Sequence, residues 1–191
     1  MTVSIVTGRI EKMQVDAIVN AANERLQRGG GVCGAIFGAV ERVGGESELV
    51  AACRAIGGCP TGDAAVTPSF GLPAPWIIHA VGPVWSDEPH VVPPALNDRT
   101  RRELELLGDA YAAIVARCRE NGFRSVAVPA ISTGIFGLPK ELGAIIAHDV
   151  MGRLGDGLDI RLVAFDQASL GFLNAEPLSA HLALLDGIIG R

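Results

Sequence analysis

The chain has 191 residues, of which 49% are hydrophobic and 19% charged, and its formal net charge is -5. This length predicts a single domain over residues 1–191, and the apolar fraction excludes intrinsic disorder. The acidic balance, without a clustered basic face, argues against a nucleic-acid partner. No uncharged apolar run approaches about 18 residues, and the N-terminus lacks a signal-peptide pattern. We therefore expect a cytoplasmic monomer with no membrane contact.

The four cysteines and four histidines follow no metal-binding spacing. The cysteines form no C-x-x-C pair, and the histidines form no H-E-x-x-H motif. The sequence thus predicts neither a metal site nor a cofactor, and in a reducing compartment we expect free thiols. His79 falls within an apolar strand pattern, which is more typical of a core histidine than of a catalytic base.

Strand-like and helix-like patterns alternate along the chain. They predict strands at 3–6 and 16–20, helices at 32–43 and 46–56, strands at 64–67 and 76–81, a proline-rich loop over 82–98, a helix at 100–121, a strand at 125–128, a helix at 141–154, a strand at 160–165, and a helical stretch beyond Glu176–Pro177. This order favours an α/β sandwich, in which helices cover both faces of a central mixed, mostly parallel sheet.

Two glycine-rich segments each lie between a predicted strand and a predicted helix. The first, Gly29–Gly31, could present helix N–H groups to an anion, although a run of three glycines alone is more typical of a mobile surface turn. It matches neither G-x-G-x-x-G nor G-x-x-x-x-G-K-[ST], so it does not predict an ordinary dinucleotide or P-loop site.

The second segment, PAISTGIFGLP over 129–139, offers backbone donors and hydroxyl groups. Neither segment contains a basic side chain, so backbone amides and helix dipoles would bind the anion. Two such loops at strand ends predict a site for a diphosphate ester.

Five motifs in order resemble the macrodomain family: DAIVNAAN at 16–23, GGGVCGAI at 29–36, TGDA at 61–64, IHAVGP at 78–83 and PAISTGIFG at 129–137. The resemblance covers residues 1 to about 170 and is strongest to the MacroD-type branch. Members of that branch bind ADP-ribose and often hydrolyse ADP-ribosyl esters or O-acetyl-ADP-ribose. The resemblance implies a three-layer α/β/α fold with a deep ADP-ribose cleft at one edge of the sheet.

The resemblance also implies roles for individual residues. Asn23 corresponds to an asparagine that hydrogen-bonds the distal ribose, and Asn20 would support its loop from within. Phe165 corresponds to an aromatic residue that stacks on adenine, although a core position is about equally compatible with its place at a strand end. The remaining ligand-binding candidates are Arg9 and Ile10 at the adenine, Gly30, Gly31, Val32 and Gly34 in the first diphosphate loop, and Ser132, Thr133, Gly134, Ile135 and Phe136 in the second, with Phe136 packing on the distal ribose.

Two residues depart from the family pattern. Where Arg9 stands, the family usually has an aspartate that accepts a hydrogen bond from the adenine amine, and arginine has no acceptor. Either another group, such as Asp166 or the backbone, accepts that bond, or the base stacks between Phe165 and the guanidinium. Cys33 stands where hydrolytic members carry an aspartate thought to orient water. A thiol replaces it poorly unless ionised, which a helix N-terminus favours.

Two main functions therefore remain open. One is a hydrolase of ADP-ribosylated protein or O-acetyl-ADP-ribose, with Asn23 and, less securely, Cys33 in catalysis. The other is a non-catalytic ADP-ribose reader, which the cysteine would suit; a metabolite-sensing or scaffold role is a third, weaker option. The lack of an attached partner module favours the enzyme.

Overall fold

The fold is built on one six-stranded sheet, seen in a computed structural model that describes residues 2–86, 97–175, 182, 183, 185, 187 and 188. Its elements are β1 (Thr2–Thr7), β2 (Ala17–Ala21), α1 (Gly31–Arg42), α2 (Glu46–Ile56), β3 (Ala64–Pro68), β4 (Trp76–Ala80), α3 (Asp98–Glu120), β5 (Ser125–Pro129), α4 (Lys140–Leu154), β6 (Asp159–Ala164) and α5 (Gln167–Asn174), with a 3-10 turn at Ile10–Lys12.

The strands lie in the order β1-β6-β5-β2-β4-β3. All neighbours are parallel except β3, which runs antiparallel to β4 at one edge. The predicted mixed, mostly parallel sheet is therefore confirmed. The parallel strands run in one direction. The chain segments that follow β1, β2, β5 and β6 therefore lie on the same side of the sheet, at the carboxyl ends of these strands.

Helices cover both faces of this sheet, which confirms the three-layer fold. Successive strand residues face opposite sides. Val19 thus lies in the core beneath α3 and α4, together with Tyr111. Ile18, the preceding residue, lies in the core beneath α1 and α2, together with Phe37. Strands buried on both faces explain why their sequences read as continuous apolar runs.

The order of predicted elements is confirmed, with two additions near the ends. The sequence did not predict the 3-10 turn or α5, whose first turn is capped by Asp166 accepting the Ser169 N–H at 2.7 Å. The helix predicted beyond Glu176–Pro177 lies mostly outside the described residues, and so do residues 87–96 of the proline-rich loop. Within the described part of the chain, no helix combines the length and apolarity needed to cross a membrane.

Candidate ligand-binding cleft

A cleft of about 970 Å³ lies at the carboxyl ends of the parallel strands. This is the position at which open α/β sheets bind ligands, and the volume suits a nucleotide-sized molecule. The structure brings thirteen of the predicted site residues together around it: Arg9, Ile10, Asn23, Gly30, Gly31, Val32, Cys33, Ser132, Thr133, Gly134, Ile135, Phe136 and Phe165.

Gly34 is the predicted site residue that does not line the cleft. A Cβ atom on this glycine would lie 2.8 Å from the Gly29 carbonyl oxygen, which is closer than side chains approach a backbone. Gly34 thus allows the first turn of α1 to pack under its own loop. It shapes the loop and does not border the space that a ligand would fill.

The first loop leads directly into the N-terminus of α1. Gly30 is the residue before the helix and offers no side chain to cap it. The first N–H groups of a helix have no partner within the helix, and they carry the positive end of its dipole. The start of α1 is therefore suited to an anionic group.

The second loop is held in shape by its own hydrogen bonds. Ser132 has the left-handed backbone conformation (φ 65°), which is unusual for a residue with a side chain. Its carbonyl accepts a bond from the Leu138 N–H at 3.0 Å, and the Thr133 hydroxyl donates to the Ala130 carbonyl at 2.9 Å. The Thr133 hydroxyl proton is thus used inside the loop, whereas the buried Ser132 Oγ has no hydrogen-bond partner among the described residues.

Asn23 is fixed by the backbone of the segment that follows it. Its Oδ1 accepts the N–H groups of Arg25 and Gln27 at 3.2 and 3.1 Å, and its Nδ2 donates to the Gln27 carbonyl at 2.8 Å. An amide group has two N–H donors, so one N–H of Asn23 remains for another partner.

Cys33 lies beside Asn23 and is buried. Its Sγ accepts the Gly29 N–H at 3.4 Å and donates to the Gln27 carbonyl at 3.8 Å. Burial raises the pKa of the Cys33 thiol, and the Gly29 hydrogen bond opposes this shift only partly. The thiol is therefore neutral near pH 7, so the ionisation that a helix N-terminus favours does not develop here.

Below these residues, His79 occupies the core. Its Nδ1 accepts from Asn20 Nδ2 at 3.1 Å, so its Nε2 carries the proton and donates to Thr67 Oγ1 at 2.9 Å. Burial lowers the pKa of His79 to about 4, so the ring is neutral. The prediction of a core histidine is confirmed, and Asn20 is buried in β2, where its amide group contacts His79.

Phe165 follows β6, which β5 separates from β2; it also lines the cleft, and 77% of its surface is exposed. The core interpretation of this residue is therefore wrong. Asp166, the other residue considered there, also lines the cleft, but its Oδ1 accepts both the N–H and the hydroxyl of Ser169, at 2.7 and 2.5 Å.

Comparison with known proteins decides the family. The Macro domain family model matches residues 19–147. The chain belongs to the macro domain family. It is 43% identical to the O-acetyl-ADP-ribose deacetylase of Escherichia fergusonii over 180 residues, covering 90% of this chain and 93% of that protein. It is 47% identical over 147 residues to a macro domain-containing protein of Cupriavidus necator, covering 75% and 76% of the two chains.

Solved structures agree with this assignment. The Oceanobacillus iheyensis macrodomain with ADP aligns with a TM-score of 0.76 at 30% identity, over 96% of this chain and 92% of the other. The Trypanosoma brucei macrodomain in complex with ADP-ribose aligns with a TM-score of 0.72 at 31% identity, over 90% and 67% of the chains.

Sequence reasoning missed several residues that line this macrodomain cleft, among them Glu11, Lys140 and Phe172. The glycine-rich loops lack basic side chains, as the sequence shows, but Lys140 at the start of α4 and Arg9 add positive charge to the wall. The Lys140 ammonium lies 5.7 Å from the centre of the Phe172 ring. Lys140 directly follows the second loop, so the sequence could have indicated that it lines the cleft. Phe172 lies in the apolar pattern of α5, which gives no such indication.

Proposed function

We propose that this macrodomain binds ADP-ribose in the cleft and hydrolyses its esters, either mono-ADP-ribosyl groups on acidic side chains or O-acetyl-ADP-ribose. The observation that carries the proposal is the pair of glycine-rich loops that border one cleft at the strand ends. The relative from Escherichia fergusonii, which is named O-acetyl-ADP-ribose deacetylase and aligns over nearly its whole length, supports the hydrolytic part.

In this proposal the diphosphate lies between the two loops. The N-terminus of α1 stabilises its charge from one side, and the backbone N–H groups of the second loop bind it from the other. The adenine reaches Phe165, where an exposed aromatic face is available for stacking. The distal ribose reaches Asn23 and Cys33, at the opposite end of the cleft.

Hydrolysis of an ester requires a water molecule held close to the acyl or anomeric carbon. Asn23 is already oriented by three hydrogen bonds and keeps one N–H for a ribose hydroxyl, so it can hold the ribose without first being ordered. The neutral, buried Cys33 thiol is unsuited to attack. We assign it to filling space beside the ribose, with the ligand's own diphosphate and hydroxyl groups positioning the water.

A reader function is the second candidate, and one observation favours it. Burial keeps the Cys33 thiol neutral, and the resemblance implies that hydrolytic members of the family carry a carboxylate at this position. A cleft that binds ADP-ribose without activating water would then recognise ADP-ribosylated protein and release it unchanged.

Turnover separates the two functions. The purified chain is incubated with O-acetyl-ADP-ribose and, separately, with a protein carrying glutamate-linked ADP-ribose, and released ADP-ribose is measured. Release above the rate without protein, reduced by Asn23→Ala, is expected of the hydrolase. Binding of ADP-ribose with no release from either substrate would make the chain a reader.

A further inference from the structure

The TGDA segment at residues 61–64 does not line the cleft, but it is hydrogen-bonded to the residue that follows Asn23. Glu24 Oε1 accepts the Thr61 N–H at 3.2 Å and the Thr61 hydroxyl at 2.9 Å. A carboxylate is a stronger acceptor than a neutral oxygen, although water competes with it here because Glu24 is exposed. One side chain thus joins the start of the Asn23 loop to the loop between α2 and β3.

The backbones of these two loops are also joined. The Cys59 N–H donates to the Glu24 carbonyl at 2.9 Å. Gly58 permits this close approach, since its φ is 129° and a Cβ atom there would lie 3.0 Å from the Glu24 carbonyl oxygen. Three hydrogen bonds therefore reach Glu24 from a segment of four residues, Gly58–Thr61.

The loop between α2 and β3 is itself held by the core. The Gly62 N–H donates to the Val81 carbonyl at 2.8 Å, and the Val81 N–H donates to the Asp63 carbonyl at 3.0 Å. Val81 and Cys59 are both buried. This loop can therefore act as a fixed support for whatever is bonded to it.

The segment that carries Asn23 needs such a support. The three hydrogen bonds of the Asn23 side chain run to the backbone of Arg25 and Gln27, so they fix the amide only relative to its own segment. Leu26 is buried and has the left-handed conformation (φ 54°), which persists only where the surroundings hold it. The bonds to Glu24 hold this segment against the rest of the fold.

We propose that Glu24 is a positioning residue, which Thr61 and Cys59 hold so that the Asn23 amide is in place for the distal ribose. This inference rests on the proposed function, because that function assigns Asn23 to the ribose. Neither Glu24 nor Thr61 lines the cleft, so both act on the ligand through Asn23. An amide that is already ordered binds without the entropy cost of being fixed.

The test is calorimetry with ADP-ribose and with ADP, which lacks the distal ribose. The ratio of the two affinities reports the ribose end of the cleft. Glu24→Ala should weaken ADP-ribose binding at least about fivefold and ADP binding by less than about twofold. Thr61→Val loses the hydroxyl but keeps the shape and the N–H, so it should weaken ADP-ribose binding about threefold.

Matched variants distinguish these hydrogen bonds from a general loss of structure. Glu24→Gln keeps an acceptor oxygen and Thr61→Ser keeps the hydroxyl, so both should retain the wild-type ratio. Glu48→Ala, which removes an exposed glutamate from α2, should also retain it. Thermal unfolding verifies that each variant is folded.

The outcomes separate this inference from the proposed function. A wild-type ratio in folded Glu24→Ala overturns the role of Glu24 and leaves ADP-ribose binding intact. Equal losses for both ligands also overturn it, because a general weakening of the cleft does not single out the ribose. If Glu24→Ala does not fold, Thr61→Val decides by the same two criteria. A wild type that binds neither ligand contradicts the proposed function, and one that binds both equally contradicts the placement of the ribose at Asn23; either result overturns the inference as well.

Discussion

Gly30 and Ile135 meet across the mouth of the cleft: a Cβ atom on Gly30 would lie 2.7 Å from Ile135 Cδ1. Gly30 precedes α1, and Ile135 is an exposed residue of the second loop, with 77% of its surface accessible. The two loops are therefore in contact range on the solvent side. In the proposed function, the ligand's diphosphate lies between these two loops.

The first prediction concerns the charge in that channel. Gly30→Glu should abolish ADP-ribose binding, because its carboxylate would occupy the phosphate path and repel the ligand. Calorimetry at fixed ionic strength measures the loss. Full affinity in Gly30→Glu would place the diphosphate elsewhere.

Gly30→Ala is the matched steric control. The backbone of Gly30 has φ -90°, which any residue adopts, and the atom that its Cβ would meet is the flexible end of an exposed side chain. Ile135 can rotate away, so the alanine variant should bind ADP-ribose within a few-fold of the wild type. An equal loss in both variants would show that size alone, without charge, causes the effect.

The second prediction separates Asn23 from Cys33. If the chain turns over substrate, Cys33→Ala should keep most activity because the thiol is neutral, whereas Asn23→Ala should lose at least about tenfold. Cys33→Asp should raise activity, since a carboxylate is favourable at a helix N-terminus and is the group that the sequence resemblance implies for this position. Initial rates with O-acetyl-ADP-ribose give all three values.

A working cysteine would give the opposite result. Cys33→Ala would then destroy turnover, and iodoacetamide would inactivate the enzyme unless ADP-ribose protected it. Turnover in Cys33→Asp alone, with none in the wild type, would identify the natural protein as a reader.

The third prediction concerns Phe165. Phe165→Ala should weaken ADP-ribose binding roughly tenfold through lost stacking. The free energy of unfolding should stay within about 0.5 kcal/mol of the wild type, because the side chain is exposed. Phe165→Tyr, which keeps an aromatic face, serves as the control. Unchanged affinity in the alanine variant would remove Phe165 from the adenine site.

Local sequence patterns predicted the helices and strands, but not which strands that lie far apart in sequence pair with each other. Apolar runs indicated the strands, yet β1 pairs with β6, as in Thr2 opposite Asp159, and no local pattern encodes so distant a partner. Glu11 illustrates the same limit within the site. In sequence it resembles a solvated charge in a polar turn, and only the packing of that turn buries it. Lys140 is an exposed residue at the start of α4, and the fold brings it to the wall of the cleft.

The fourth prediction is a pH dependence set by His79. Its pKa is lowered to about 4 in the folded chain, against about 6.5 when unfolded. The unfolded state therefore binds more protons between these values, so stability falls as pH decreases through this window. Lowering the pH from 7 to about 5 should reduce the free energy of unfolding by about 2 kcal/mol, because His79 is protonated more readily in the unfolded state. Urea unfolding of the wild type and of His79→Gln at pH 7 and about 5 measures this reduction. An equal reduction in the wild type and the variant would exclude His79 as its cause.

The most direct test of the central claim is calorimetry of the wild-type chain with ADP-ribose and with AMP. A channel formed by two loops requires a diphosphate to contact both of them at once. The account predicts micromolar affinity for ADP-ribose and at least about tenfold weaker binding of AMP, a difference of about 1.4 kcal/mol or more. Equal affinities for the two ligands would contradict it.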